Sequence, residues 1–315
     1  MLAIKTLTPK SVIFRRTVRL MGDQFEISVV GNNPDWADER IDDAIAEINR
    51  VEKLLSTFSD DSAVNKINRN AGISPVKTSA EIFRLISRSL EISALTHGAF
   101  DITYYTAEKD NAEAENTTTI TKVAVKKSIS RVNYQSVVLD AKEQTVFLKE
   151  KGMRIGFGAN SRGYAADRAK FILQMQGVSS GVINAGGDLL AWGLQPNDEP
   201  WTIATADPSQ KGHSFADVNI SNMSVATSVN TQKYTAVISN KQLNTINPRK
   251  GFPVSGIKSV SIVSPSAELA DSLATPVMSI GINAGLYLIN KLNQLACIIV
   301  DDLDRVYTSK DISLN

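Results

Sequence analysis

The strands of this chain come in hairpins, without the strand–helix–strand alternation that a parallel sheet requires. From Ser11 to Val30, Val12, Phe14, Val18, Phe25, Ile27 and Val29 alternate around a turn marked by Gly22-Asp23, the signature of a β-hairpin. Asn33-Pro34-Asp35 then opens a long helix whose apolar stripe is Ile41, Ala44, Ile45, Ile48, Val51, Leu54 and Leu55. Ser59-Asp60-Asp61-Ser62 reads as a polar loop leading to Asn65, Asn68 and Asn70, before a second helix from Ser79 to Thr96. Two short strands are expected between Ser136 and Ile155, a helix from Arg162 to Gln176 and a strand over Gly181–Asn184. Strands follow near Trp201–Thr205, Ala216–Ile220, Ser224–Ser228 and Tyr234–Ile238. The end brings strand Ser259–Val263, helices Glu268–Met278 and Ala284–Leu292, strand Ala296–Val300 and a final hairpin. Mixed elements with hairpin turns predict an α+β fold, and no internal repeat of fixed period is present. The chain has 315 residues, enough for one large domain or two intertwined subdomains over 1–315. Residues 108–127, rich in Thr, Glu, Asn and Lys, read as a flexible insertion.

Hydrophobic residues are 43% and charged residues 21%, the balance of an ordinary globular protein. With 34 basic and 33 acidic residues the formal net charge is +1, so no global field draws the chain to nucleic acid or an anionic membrane. The single cysteine, Cys297, lies in the apolar run Leu295–Val300 and reads as core. No cysteine cluster exists for zinc, and a triad would have to use His97 or His213. Met1-Leu2-Ala3-Ile4-Lys5 lacks the apolar core of a signal peptide, and no apolar run is long enough for a membrane span. As given, the chain reads cytoplasmic; a trimmed periplasmic protein would read the same.

Asp271 and Thr275 lie four apart in Ala270-Asp271-Ser272-Leu273-Ala274-Thr275 and therefore point the same way on a helix. A carboxylate beside a hydroxyl is a hard, oxygen-only pair of the kind Mg²⁺ accepts. Gly156-Phe157-Gly158-Ala159-Asn160-Ser161-Arg162-Gly163-Tyr164 follows a strand and opens a helix. Small residues and free N–H groups there would suit a phosphate, with Arg162 adding a forked contact. The glycine spacing is neither a P-loop nor a dinucleotide fingerprint. Asn184-Ala185-Gly186-Gly187-Asp188 ends a strand in a double-glycine turn that serves either positive φ or a backbone floor under a ligand. Asn247-Pro248-Arg249-Lys250-Gly251-Phe252-Pro253 is a turn-rich loop.

Taken in order, these segments resemble the ApbE-type flavin transferases, the FAD:protein FMN transferases. Met21-Gly22 resembles the family's Met-Gly-Thr, and Phe58-Ser59-Asp60-Asp61-Ser62 with Asn68 its Phe-Ser…Asp-Ser…Asn. Thr96-His97-Gly98-Ala99-Phe100-Asp101-Ile102-Thr103 is similar to Thr-Gly-Gly-Ala-Phe-Asp-Pro-Thr, and Arg162-Gly163-Tyr164-Ala165-Ala166-Asp167 to Lys-Gly-Tyr-Ala-x-Asp. Asn184 to Asp188, Ala226-Thr227-Ser228, Asn247 to Pro253 and Ala270 to Thr275 resemble Asn-x-Gly-Gly-Asp, Ala-Thr-Ser-Gly, Asp-Pro-Arg-Thr-Gly-x-Pro and Ala-Asp-Ala-Leu-Ala-Thr. The resemblance covers nearly the whole chain.

It implies an ApbE-like, T-fold-like arrangement of mixed antiparallel sheets with packed helices. It also implies Mg²⁺-dependent transfer of FMN from FAD to a Ser or Thr of a partner protein carrying a flavinylation motif, with AMP leaving. Asp271 and Thr275 would ligate the metal together with a backbone carbonyl near Ser161, and Arg162 and Asp271 would carry the catalysis. FAD would be held by Met21, Ser62, Asn68, Asp101, Arg162, Gly163, Tyr164, Asp167, Gly186, Gly187, Asp188, Thr227, Asn244 and Pro248.

The departures fall on chemically important positions. The family's Asp-Leu-Gly-Gly-Ile-Ala-Lys-Gly stands here as Gly156 to Gly163, which loses the Asp and turns the Lys into Arg162. Its His-Ile-Ile-Asp-Pro stands as Asn244-Thr245-Ile246-Asn247-Pro248, so the candidate proton acceptor is gone. Val229 replaces a Gly, and Pro276 after Thr275 disfavours helical geometry there. These losses leave a non-catalytic FAD-binding relative and an FAD pyrophosphatase as alternatives.

Overall fold

The Ser11–Val30 alternation forms β1 (Val12–Leu20) and β2 (Asp23–Gly31), paired antiparallel with Leu20 opposite Asp23. The turn is therefore Met21-Gly22, one residue earlier than Gly22-Asp23. Both residues have positive φ, 52° and 80°, the two-residue geometry that matches strand twist. The structure is a computed structural model and describes residues 11–105, 133–158, 160–206, 214–230 and 256–310. The 108–127 insertion, the strand Tyr234–Ile238, and Asn244 and Pro248 in their loop lie outside the described residues.

Helix α1 (Pro34–Leu55) starts at the Asn33 cap, whose side chain accepts from the Trp36 N–H, and buries Ile41, Ala44, Ile48, Val51 and Leu55. The expected polar loop after it holds a helix, α2 (Ala63–Arg69), capped by Ser62. Its buried face mixes Val64 and Ile67 with Asn65 and Asn68, which are satisfied by hydrogen bonds: Asn68 Nδ2 donates to the Ile155 carbonyl at 3.0 Å and its Oδ1 accepts the Ile155 N–H at 2.7 Å. Then come β3 (Val76–Lys77), α3 (Ala80–Leu95) and β4 (Thr103–Tyr105). Between Ser136 and Ile155 lie three strands where two were expected: β5 (Val137–Asp140), β6 (Thr145–Leu148) and β7 (Met153–Ile155). Helix α4 (Ser161–Met175) leads to β8 (Gly181–Ala185) and β9 (Asp188–Trp192), joined through Gly186-Gly187. After β10 (Thr202–Ala206), β11 (Ser214–Asn219), β12 (Ser224–Val229) and β13 (Ile257–Ser264) come α5 (Ala267–Ile280), α6 (Ile282–Ile289), β14 (Ala296–Asp301) and β15 (Val306–Thr308).

Eight strands form one sheet in the order β1-β2-β8-β9-β12-β13-β14-β15, every pair antiparallel. Alternation divides its faces. Ile27, Ile183, Leu190, Ala226, Ile262 and Cys297 join the main core, where α1, α4, α5 and α6 pack. Val182, Ala191, Val225, Val263 and Ala296 point the other way and are covered by Trp201, Ile220 and Met223. Covered on both sides, β13 is buried throughout. Cys297 and Trp192 are core residues with no exposure. No described helix is long and apolar enough to cross a membrane.

Pro276 does not end α5, which continues to Ile280. A helical proline costs roughly 3 kcal/mol. Burial of Ala270, Leu273, Ala274, Val277 and Met278 against the sheet offsets that cost and keeps Thr275 helical.

Candidate functional site

The β8–β9 turn, the second half of β12, the start of α4 and the second and third turns of α5 supply the residues of one cluster. Pairing of β2 with β8 sets Asp23 beside Gly186: the Gly186 N–H donates to Gln24 O at 3.0 Å. Gly186 lies at φ 68°, where side chains are strained, and a Cβ there would also push against the Asp23 carboxylate, 2.5 Å away. Asp188 opens β9 and accepts the Thr227 N–H at 3.1 Å. Thr227 Oγ1 meets Ser261 Oγ at 2.8 Å across the β12–β13 ladder.

Above this floor the chain brings together Arg162, Gly163 and Asp271. An Asp271 oxygen accepts the Gly163 N–H at 3.2 Å, so the carboxylate sits at the open N-terminus of α4, where backbone donors and the helix dipole favour an anion. Thr275, one turn further along α5, reaches Ser228 Oγ at 3.2 Å. The closest Arg162 nitrogen lies 3.8 Å from Asp188, too long for a hydrogen bond. Its Nε is buried with no partner among the described residues. Burial and the charge of Asp188 push the Asp271 carboxyl up to about 7, against the opposing pull of Arg162 and the Gly163 N–H. Burial also raises Asp188, which faces Asp23.

This donor set fits a cation that takes few protein ligands. Asp271 and Thr275 supply two hard oxygens from one helix face, Ser161 opens α4 beside them, and two neighbouring carboxylates face one poorly paired arginine. Among the described residues no group of three His, Cys, Asp or Glu side chains could hold a metal by itself. Mg²⁺ needs no such cage, since water and phosphate oxygens complete its shell.

The remaining sequence candidates separate from this cluster. Met21 sits in the first hairpin turn, half-buried, its N–H 3.3 Å from Glu52. Ser62 caps α2, and Asn68 ties α2 to β7. Asp101 accepts the N–H groups of Thr103 (2.8 Å) and Tyr134 (3.0 Å). The Tyr164 phenol does not turn toward the glycine-rich loop; it donates to Glu81 at 2.7 Å, within an ion cluster formed with Arg50, Glu47 and Arg168. Asp167 accepts from Ser266 Oγ (2.8 Å) and from the N–H groups of Ala267 and Glu268 (2.9 Å each). His97 is exposed in the left-handed region after α3. It lines, with Thr96 and Ala99, a cavity of about 640 Å³ closed by Ser279, Tyr287 and Lys291. Ser228, which no motif singles out as a site residue, adjoins Thr227, and strand alternation turns it toward Thr275 of α5.

Asn160 stands where the family pattern has an aliphatic residue. It is fully buried, its Nδ2 donates to Ser89 Oγ at 3.3 Å, and its Oδ1 has no partner among the described residues. An orphaned buried acceptor costs about 1–3 kcal/mol. Asn160→Leu is therefore expected to raise stability by about 1 kcal/mol in denaturant titration. A fall would show that the oxygen has a donor after all.

A model of the ApbE family matches residues 21–299. The chain is 26% identical over 284 residues to an FAD:protein FMN transferase of Klebsiella pneumoniae, covering 87% of this chain and 81% of that protein. It is 24% identical over 273 residues to the FAD:protein FMN transferase of Escherichia coli K12, covering 84% and 77%. The ApbE protein of Thermotoga maritima superposes with a TM-score of 0.79 at 23% identity, covering 95% of this chain and 97% of that one. The flavin transferase ApbE of Vibrio cholerae superposes with a TM-score of 0.80 at 20% identity, covering 95% and 98%. These likenesses agree with the mixed antiparallel architecture expected from the sequence, and the family model spans the strand ends and helix starts that build the site: the chain belongs to the ApbE family of flavin transferases.

Proposed function

We propose that this chain moves the FMN half of FAD onto a Ser or Thr hydroxyl of a partner protein, with Mg²⁺ present and AMP leaving. One observation carries the reading: Asp271, one turn from Thr275 on α5, adjoins Arg162, whose buried Nε has no partner among the described residues. That is a place for a cation and a diphosphate together. A bond forms between the acceptor oxygen and the FMN-side phosphorus, the diphosphate bridge breaks, AMP takes the bridging oxygen, and the hydroxyl proton goes to solvent or a nearby base. Mg²⁺ held by Asp271, Thr275 and a carbonyl near Ser161 would supply neutralising charge on the diphosphate. Arg162 binds and orients the phosphates. Gly186 and Gly187 let a ligand approach the backbone, and Asp188 and Thr227 border that approach. Asn244 and Pro248 are proposed contacts from outside the described residues.

The lost carboxylate at Gly156 and the lost histidine at Asn244 favour a second reading, a flavin-binding relative without transfer. Hydrolysis with water as acceptor is the third. One experiment separates them: the protein is mixed with FAD, Mg²⁺ and a flavinylation-motif peptide. An FMN-sized mass gain on the peptide with free AMP is expected. FAD binding without AMP selects the binder, and AMP without mass gain selects hydrolysis. An unfolding temperature indifferent to FAD rejects all three.

A further inference from the structure

Helices α4 and α5 cap each other. On α4, Gly163 and Asp167 lie one turn apart; on α5, so do Ala267 and Asp271. Asp271 of α5 receives the Gly163 N–H of α4 at 3.2 Å. Asp167 of α4 receives the first N–H groups of α5, Ala267 and Glu268, at 2.9 Å each, and the Ser266 hydroxyl at 2.8 Å. Both Asp167 oxygens are thus engaged within the chain. The two helices close because Gly163 lacks a side chain: a Cβ there would fall 2.3 Å from the Ala267 carbonyl oxygen. Arg88 of α3 adds a forked grip on Glu268, at 2.7 and 3.0 Å.

We propose that Asp167 is a positioning residue for the cation pair, acting through α5 and not by touching flavin. It fixes the first turn of α5, and the rigid helix carries that placement about 6 Å to Asp271 and about 12 Å to Thr275. A carboxylate accepting two backbone N–H groups at a helix start is a charge-assisted contact. It determines both the axial position and the rotation of the helix that presents the two oxygens. This rests on the cation reading given above.

The test uses Mn²⁺ in place of Mg²⁺ and needs no turnover. Free Mn²⁺ is followed by electron paramagnetic resonance during titration of the full chain, its Asp271→Asn variant and its Asp167→Asn variant. Asparagine at 167 retains one acceptor oxygen and loses the other. Asp167→Asn is expected to weaken Mn²⁺ binding about tenfold or more, the scale seen when groups supporting a ligand are altered. Val146→Ala, a core change in β6, which pairs with β3 and β5 outside the large sheet, should lower the unfolding temperature and leave Mn²⁺ affinity unchanged. If Asp167→Asn fails to fold, Ser266→Ala removes one of the three donors and should weaken binding in the same direction by less. Asp271-dependent binding in the parent chain with unchanged affinity in Asp167→Asn, or in Ser266→Ala where the former does not fold, overturns the positioning role. Parent binding that Asp271→Asn leaves intact overturns the cation reading itself, and the positioning role with it.

Discussion

Asp271→Asn is expected to abolish Mg²⁺-dependent release of AMP from FAD while the fold stands, or gains. Removing one preorganised charge from a transferring phosphoryl group costs about 10²–10³ in rate, or ~3–4 kcal/mol of barrier, and loss of the bound cation adds to that. Stability moves the other way. Asparagine keeps an oxygen for the Gly163 N–H and removes a buried negative charge beside Asp188. The sign follows from the direction of the shift. A carboxyl raised from 3.8 to about 7 binds its proton more tightly in the folded chain, so metal-free stability falls as pH rises across that interval. Asp271→Asn removes this loss, and its metal-free unfolding temperature at pH 8 should match or exceed that of the parent. Parent-like AMP release would reject Asp271 as a cation ligand. Lost activity with a lower unfolding temperature would make the residue structural.

The parts of this architecture that were readable in the sequence are those with a period. The β1–β2 alternation, the α1 stripe and the apolar face of α5 each repeat at the spacing of the element they form. Helix α2 is not readable, because half its buried face is asparagine, and Asn68 finds its partners on β7, 87 residues away. The turn falls one residue earlier than the glycine signal predicts because Met21 occupies the left-handed region, which apolar side chains rarely enter. Within the site, the Asp271–Thr275 spacing is local and was visible. The approach of Arg162 to Asp188 and the capping of α5 by Asp167 join distant segments, and no local rule reports them. Tyr164 shows the same limit: the resemblance makes it an FAD contact, but its hydroxyl finds a carboxylate partner on α3, Glu81, 83 residues away.

Gly163→Ala tests whether those distant segments meet as closely as the structure has them, because two effects of opposite sign compete at this position. In a free helix the change favours folding by about 1 kcal/mol. Here the new Cβ would stand 2.3 Å from the Ala267 oxygen, 2.6 Å from its carbon and 2.9 Å from the Glu268 nitrogen. All three are backbone atoms of a helix start held by Asp167 and Arg88, so no side chain can swing aside. Overpacking of this kind costs about 1–3 kcal/mol, and the fixed backbone puts the cost at the upper end. The clash therefore wins, and chemical denaturation should show a net loss of about 2 kcal/mol. Activity should fall further than stability, because separating the helices stretches the Gly163–Asp271 bond and turns Asp271 and Thr275 away from Arg162. Gly158→Ala, where a Cβ meets nothing within 4 Å, supplies the neutral comparison. A more stable Gly163→Ala protein with full activity would mean that α4 and α5 do not touch at this glycine, and the capped pair that places the cation oxygens would lose its foundation.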